Sequence, residues 1–183
     1  INLIQSASQS ETLATSVPDN GGVYFVPALT GMGAPYWDQY ARGAMLGLTR
    51  GTTPAHITRA TLEGIAFQVY DILKAMEHDT KRTSPEMRVD GGAVANNFLM
   101  QFQSDICRET VIRPKILETT ALGAAYLAGL ATGYWRDTEE LRQQWSIDQE
   151  FTPIDTEEHV NIMLHKWHRA VERARAWEEL GEE

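Results

Sequence analysis

The residues with the clearest chemical potential form the segment 89–97, Val-Asp-Gly-Gly-Ala-Val-Ala-Asn-Asn, where a predicted strand stops and a helix begins. Gly91 and Gly92 predict a turn against which a ligand can lie, because glycine has no Cβ. Unpaired N–H groups at the following helix start favour anionic or polar ligand atoms. The amide of Asn96, in the first helical turn, both donates and accepts hydrogen bonds. Such a site suits the sugar and base of a nucleotide.

The same segment also has a simpler interpretation. Two glycines between a strand and a helix are often only a tight connection, and an asparagine near a helix start is often only a cap. No Gly-Lys-Ser or Gly-Lys-Thr follows, so the segment is not a P-loop, and the glycine spacing differs from the dinucleotide fingerprint. The residues alone leave both interpretations open.

Three carboxylates could act as a general base on chemical grounds, namely Asp38, Glu63 and Asp90. No sequence feature pairs any of them with a substrate. We therefore expect surface or structural roles for all three and predict no catalytic residue in this chain.

Metal-binding and thiol chemistry have weaker support. His165 and His168 are three residues apart and can share a helix face near His159 and Glu158, a spacing that can bind zinc. A solvated helix face is the more usual arrangement, so we predict no metal site. Cys107 is the single cysteine, which excludes an internal disulfide, and its apolar surroundings predict a packing role.

The elements that would position these residues alternate between strand and helix, the pattern of an α/β domain. Weak helical character covers residues 1–16, and the loop 27–38 carries Tyr36 and Trp37, which we expect to pack inward. Small residues in the helix 121–131, capped by Thr119 or Thr120, predict close packing against its neighbours. Strands are predicted at 23–26, 87–89 and 110–113, and further helices at 54–76, after Gly92, and at 155–180.

Two predicted helices show apolar stripes at helical spacing. The first stripe consists of Ile57, Leu62, Ile65, Ala66, Val69, Leu73 and Met76, with Glu63 and Asp71 mostly off it. The second, on the last helix, consists of Val160, Met163, Leu164, Trp167, Val171, Ala174 and Trp177.

Composition limits the possible partners. The 183 residues suffice for one domain, which we assign to 1–183, and the net charge of −9 argues against nucleic acid or an anionic membrane as a partner. No apolar run approaches the roughly 20 residues that span a bilayer. The first residues lack a signal-peptide pattern and an initiator Met, so we expect a cytoplasmic protein and a fragment of a longer chain.

Several segments together resemble a known family. Residues 30–38 (Thr-Gly-Met-Gly-Ala-Pro-Tyr-Trp-Asp) and 41–43 (Ala-Arg-Gly) are similar to a stretch typical of glycerol kinases. Residues 43–63 fit a signature of the wider FGGY carbohydrate kinase family. Residues 90–101 are close to the glycerol kinase sequence at the adenosine site, and 120–129 are again typical. Over about residues 20–180 the chain resembles the C-terminal domain of these kinases.

The resemblance implies the C-terminal lobe of the actin-like, ribonuclease-H-like kinase fold, helix-rich and without its first strands. It implies that Gly92 and Asn96 contact the nucleotide, while Asp90 and Gly91 shape the turn. The implied reaction of the whole enzyme uses ATP, Mg²⁺ and glycerol to form sn-glycerol 3-phosphate. The catalytic base, the glycerol contacts and the phosphate loops would lie in preceding sequence. We also expect a homo-oligomer.

Two alternatives remain open. One is another sugar or polyol kinase of the same family, because the substrate contacts would lie outside this chain. The other is a non-catalytic helical interaction module that uses the last helix.

Overall fold

The computed structural model describes residues 3–178. The helices are α1 (Gln9–Thr15), α2 (Pro54–Thr80), α3 (Asn97–Cys107), α4 (Thr119–Thr132), α5 (Thr138–Arg142) and α6 (Glu157–Ala174). The strands are β1 (Tyr24–Val26), β2 (Ala44–Leu46), β3 (Glu86–Arg88), β4 (Thr110–Pro114) and β5 (Ile147–Phe151). No helix within the described range is long and apolar enough to cross a bilayer.

The strands form two small sheets. β1 pairs antiparallel with β2, and β3 pairs parallel with β4, which pairs antiparallel with β5. The sequence predicted β1, β3 and β4 but missed β2 and β5. In β5 only Phe151 is buried and the other four residues are exposed, so the strand has no regular apolar alternation to reveal it.

α2 is the central helix, and its buried face differs from the predicted stripe. Leu62 and Ala66 are buried as expected, but Ile65 and Met76 are exposed. Phe67, only 1% exposed, stacks on Trp167 with ring centroids 5.1 Å apart and meets Phe102 edge-on. Aromatic contacts with α3 and α6 therefore set the orientation of α2. The apolar spacing within α2 alone could not predict which helices pack against it.

α6 is shorter than predicted. Its stripe is buried from Val160 to Ala174 except for Met163, which is partly buried. The helix ends at Ala174, so the prediction of helix through 178 is wrong; residues 179 and 180 lie outside the described range. Ala176 adopts a left-handed φ of 46°, and its N–H donates to Asp38 Oδ2 at 2.9 Å. This tertiary hydrogen bond outweighs the local helix propensity, and Trp177 is left 68% exposed.

The loop 27–38 packs differently from expectation. Tyr36 is partly buried and donates its hydroxyl to Asp71 at 2.7 Å. Trp37 is 80% exposed with a left-handed φ of 50°, so the prediction that it packs inward is wrong. Tyr36 is held by its bond to Asp71, whereas Trp37, in the left-handed backbone conformation, is left in solvent.

α4 also departs from prediction. Its N-cap is Glu118, and Thr119 already belongs to the helix, so the predicted threonine caps are wrong. Only Gly129 is buried, because the Trp135 ring packs where a Cβ would lie. Leu127 is 72% exposed, and the expected close packing is therefore confined to one glycine.

Candidate nucleotide-binding site

The turn after β3 is fixed by Asp90 and Gly91. Gly91 has a φ of 85°, which requires glycine, and its N–H donates to the Leu117 carbonyl at 2.9 Å. The Asp90 carboxylate accepts a hydrogen bond from the Thr119 hydroxyl at the start of α4. Both residues therefore hold the turn against the 117–119 segment.

Asn96 is the N-cap of α3 and does not lie in the first helical turn as predicted. A 3-10 turn (Gly92–Ala95) separates the two glycines from α3. The Asn96 Oδ1 accepts from the Leu99 N–H at 2.9 Å, and its Nδ2 donates to Ser10 Oγ at 3.2 Å. Because an amide offers two donors and two acceptor positions, one N–H and one lone pair remain for a ligand.

Gly92 and Asn96 line one cavity of about 430 Å³. A Cβ built on Gly92 meets nothing within 4 Å, so the backbone there presents an open face. Leu62 and Ile65 of α2 form an apolar wall, and Ser10 of α1 adds a hydroxyl. Apolar walls with a few convergent polar groups are typical of small-molecule pockets.

Sequence reasoning missed the contribution of α1 to this cavity. Ser10 bonds Asn96, and Glu11 Oε2 accepts from the Asn97 N–H at 3.0 Å. Both contacts join residues 86 positions apart. The residues carry no local signal of such a contact, and only the fold brings α1 against the start of α3.

A second cavity of about 420 Å³ lies between the 18–22 turn, α2, α3 and α6. It contains Glu63, which is only 2% exposed, and burial raises the pKa of that carboxyl. Glu63 is already bound by Arg59 at 2.8 Å and by the Asn20 amide at 2.7 Å. These partners support a structural role for Glu63 in preference to proton transfer.

Asp38 is likewise held by protein donors. Its Oδ1 accepts from the N–H groups of Tyr40 and Ala41, and its Oδ2 accepts from the Ala176 N–H. These N–H groups, Ala176 foremost, lower the pKa of Asp38. With Asp90 bound to Thr119, all three carboxylates considered as bases have protein partners in this structure.

The histidines of α6 do not converge. His159 Nδ1 lies 2.6 Å from Asp155, and His168 Nε2 lies 2.9 Å from Asp71, while His165 and Glu158 are exposed. Within residues 3–178 no group of three or more His, Cys, Asp or Glu side chains could hold a metal ion.

Cys107 is buried at the end of α3. Burial raises the pKa of its thiol to about 12, and its sulfur lies 2.9 Å from Gln103 Nε2. This environment is that of a packing residue.

Comparison with known proteins connects this geometry to a family. Residues 2–132 match the C-terminal domain of the FGGY family of carbohydrate kinases. The chain belongs to the FGGY family of carbohydrate kinases. It is 65% identical over 179 residues to a glycerol kinase of Parabacteroides distasonis, covering 98% of this chain and 36% of that protein.

Solved structures agree with this assignment. A Plasmodium falciparum glycerol kinase with ADP superposes with a TM-score of 0.84 at 34% identity, over 97% of this chain and 35% of that one. A ligand-bound xylulose kinase from Lactobacillus acidophilus gives a TM-score of 0.72 at 26% identity, covering 94% of this chain and 35% of that one. The predicted fold class, the C-terminal lobe of the actin-like, ribonuclease-H-like kinases, is confirmed. The chain spans about a third of the length of these relatives.

Proposed function

We propose that this chain is part of an ATP-dependent glycerol kinase, in which it supplies the adenosine side of the active-site cleft. The whole enzyme would convert ATP and glycerol to ADP and sn-glycerol 3-phosphate. The observation that carries the proposal is the 430 Å³ cavity, because it joins the open backbone of Gly92 to the partly free amide of Asn96. Its apolar wall suits the face of a purine, and its polar groups suit the ribose or the base edge.

The partners of the three candidate carboxylates indicate which parts of the reaction belong to the remainder of the enzyme. Asp38, Glu63 and Asp90 are engaged by protein donors, and none of them lines the cavity beside Gly92. Phosphoryl transfer needs a positioned hydroxyl and charge stabilisation at the transferred group, which Mg²⁺ supplies when bound with ATP. We therefore assign the catalytic base, the glycerol contacts and the phosphate loops to the remainder of the enzyme. In this chain, Gly92 and Asn96 bind and orient the nucleotide.

Glycerol is the substrate we favour over other polyols. The relatives with 55–65% identity that cover nearly all of this chain are named glycerol kinases, whereas the xylulose kinase neighbour is 26% identical. A non-catalytic interaction module is not favoured by these relatives. We also propose that the enzyme acts in the cytoplasm as a homo-oligomer.

A thermal-shift measurement on the 183-residue chain tests the binding role. We expect ADP and adenosine to raise the unfolding temperature, because a ligand that binds only the folded state stabilises it. Inorganic phosphate at the same concentration is the control, because it lacks the adenosine part of the ligand. A chain that unfolds cooperatively and is not stabilised by ADP or adenosine would contradict the assignment.

A further inference from the structure

A groove of about 310 Å³ lies between α6 and the β1–β2 hairpin and carries a concentrated positive charge. Lys166, Arg169 and Arg173 line it from α6, and no carboxylate lines it. Positions three, four and seven apart fall on one helix face. The charge is conspicuous because the whole chain carries a net charge of −9.

None of these three cations forms an ion pair within residues 3–178. Arg173 donates to the carbonyl oxygen of Arg169 at 2.8 Å, which neutralises no charge. Two neighbouring carboxylates are engaged elsewhere, since Glu172 pairs with Arg175 at 3.0 Å and Glu63 with Arg59 at 2.8 Å. Glu157 and Glu158 line an adjacent cavity with Lys166 and Arg169 but form no ion pair with them in the described part of the chain. Like charges on one helix face repel, so an anion in the groove would remove an unfavourable interaction.

The β1–β2 strands form the wall of the open groove that faces these three side chains. Gly47 has a φ of 83° and packs directly against the Gly22 carbonyl, where a Cβ would collide. The main chain therefore closes the hairpin side, together with Tyr24, which is 7% exposed, and Leu46. The groove volume of about 310 Å³ lies at the lower end of the range typical of small-molecule sites.

We propose that this groove binds a small anion that carries two or more phosphate groups. Arginine guanidinium groups bind phosphate oxygens in a bidentate geometry, and lysine adds a compact charge. Lys166 and Arg173 are two helical turns apart, about 10 Å at 1.5 Å per residue, so the three charges are spread over a length that a linked pair or triplet of phosphates matches better than a single phosphate. The groove shares no lining residue with the cavity beside Gly92, so this site is separate from the adenosine site proposed above.

Titration calorimetry of the 183-residue chain with sodium tripolyphosphate tests the proposal. We expect one-to-one binding that weakens as salt concentration rises, because the contacts are ionic. The triple variant Lys166→Gln, Arg169→Gln, Arg173→Gln should bind about tenfold more weakly or worse. The matched control is Arg50→Gln, Arg82→Gln, Lys115→Gln, which removes the same charge from exposed positions outside the groove and should bind as the parent does.

Any of three outcomes with tripolyphosphate would overturn the proposal. They are no binding of tripolyphosphate by the parent chain, equal weakening in both triple variants, or binding lost in Gly92→Val. The first excludes the site, the second indicates only overall charge, and the third indicates that the probe occupies the nucleotide cavity. Phosphatidylglycerol vesicles and single-stranded DNA serve as comparison ligands. If the triple variant lost more affinity for either of them than for tripolyphosphate, that result would also contradict a small-molecule site. Arg169→Gln alone provides a milder variant if the triple substitution impairs folding.

Discussion

Asp71 of α2 and Trp167 of α6 are joined by a hydrogen bond of 2.7 Å from the indole Nε1 to the carboxylate Oδ2, across 96 residues of sequence. The same carboxylate accepts from the Tyr36 hydroxyl at 2.7 Å and lies 2.9 Å from His168 Nε2. Asp71 is only 6% exposed. One buried side chain thus connects the loop before β2, the central helix and the last helix.

Replacing Asp71 with alanine should destabilise the fold by about 3 kcal/mol, because the buried Trp167 N–H and Tyr36 hydroxyl lose their charged acceptor. Urea unfolding followed by tryptophan fluorescence measures the change. Asp79→Ala on the same helix is the control, since Asp79 is exposed and should change stability by less than about 0.5 kcal/mol. Similar values for the two variants would show that the buried network contributes little.

The substitution Gly92→Val should impair nucleotide binding selectively. A Cβ at this position has open space in the structure, so the fold should accept the substitution, and the added atoms take up room where Gly92 lines the cavity. In the whole kinase we expect the KM for ATP to rise about tenfold, ~1.4 kcal/mol, with little change in the KM for glycerol. Gly33→Val is a matched control, because Gly33 also has open space at its Cβ and lies outside the cavity. Equal effects on both substrates at unchanged stability would contradict the assignment of Gly92.

Two substitutions at Asn96 separate its capping role from ligand binding. Asn96→Ala should weaken nucleotide affinity about three- to tenfold, the value of one hydrogen bond of 0.5–1.5 kcal/mol, and also destabilise α3 by about 1 kcal/mol. Asn96→Asp keeps an acceptor for the Leu99 N–H but loses the Nδ2 donor. Calorimetry with ADP and thermal unfolding distinguish the two effects. Unchanged ADP affinity in both variants would mean that Asn96 acts only as a cap.

The thiol of Cys107 should resist alkylation in the folded chain. With its pKa raised to about 12 by burial, only about one thiol in 10⁴ is ionised at pH 8. We expect iodoacetamide to react about 1000-fold more slowly than with the urea-unfolded chain. Because the folded pKa lies above the unfolded value near 9.0, stability should fall as pH rises from 9 toward 12. Rapid native-state labelling at pH 8 would contradict a buried thiol.

The 183-residue chain alone should not phosphorylate glycerol. Its three candidate bases are engaged by protein donors, and the proposed nucleotide contacts position adenosine without stabilising charge at the transferred group. A coupled assay for ADP, with and without glycerol, measures the activity. Glycerol-dependent turnover near 1–100 s⁻¹, about the usual kinase range, would require a base among Asp38, Glu63 and Asp90.

The elements found from sequence were those with strong local signals. α2 has a proline at its first position and a cap at Thr53, and β4 is a compact β-branched run, so both could be located. β2 and β5 are held mainly by pairing with distant strands, and the end of α6 is set by a hydrogen bond from Ala176 to Asp38. Such features depend on tertiary partners that no window of sequence contains.

In the candidate site, too, local features could be predicted from the sequence and tertiary contacts could not. Two glycines with an asparagine downstream were enough to locate a turn and a cap, because that chemistry is local. The residues alone left nucleotide binding open, and the resemblance to FGGY kinases singled out Gly92 and Asn96. The wall from α2 and the hydroxyl of Ser10 could not be predicted, since Ser10 contacts Asn96 across 86 residues. The burial of Asp71 was also missed, because polarity alone placed it off the apolar stripe of α2.

The contacts of Asp38 have a consequence for the order in which the chain can fold. Its Oδ2 accepts from Ala176, 138 residues later, and the Arg42 N–H donates to the Ala174 carbonyl at 3.1 Å. A ribosome therefore releases the 38–42 loop long before the residues that hold it exist. During synthesis this loop lacks these two contacts while α2 and α3 emerge, and it gains them only after the last turn of α6 leaves the exit tunnel.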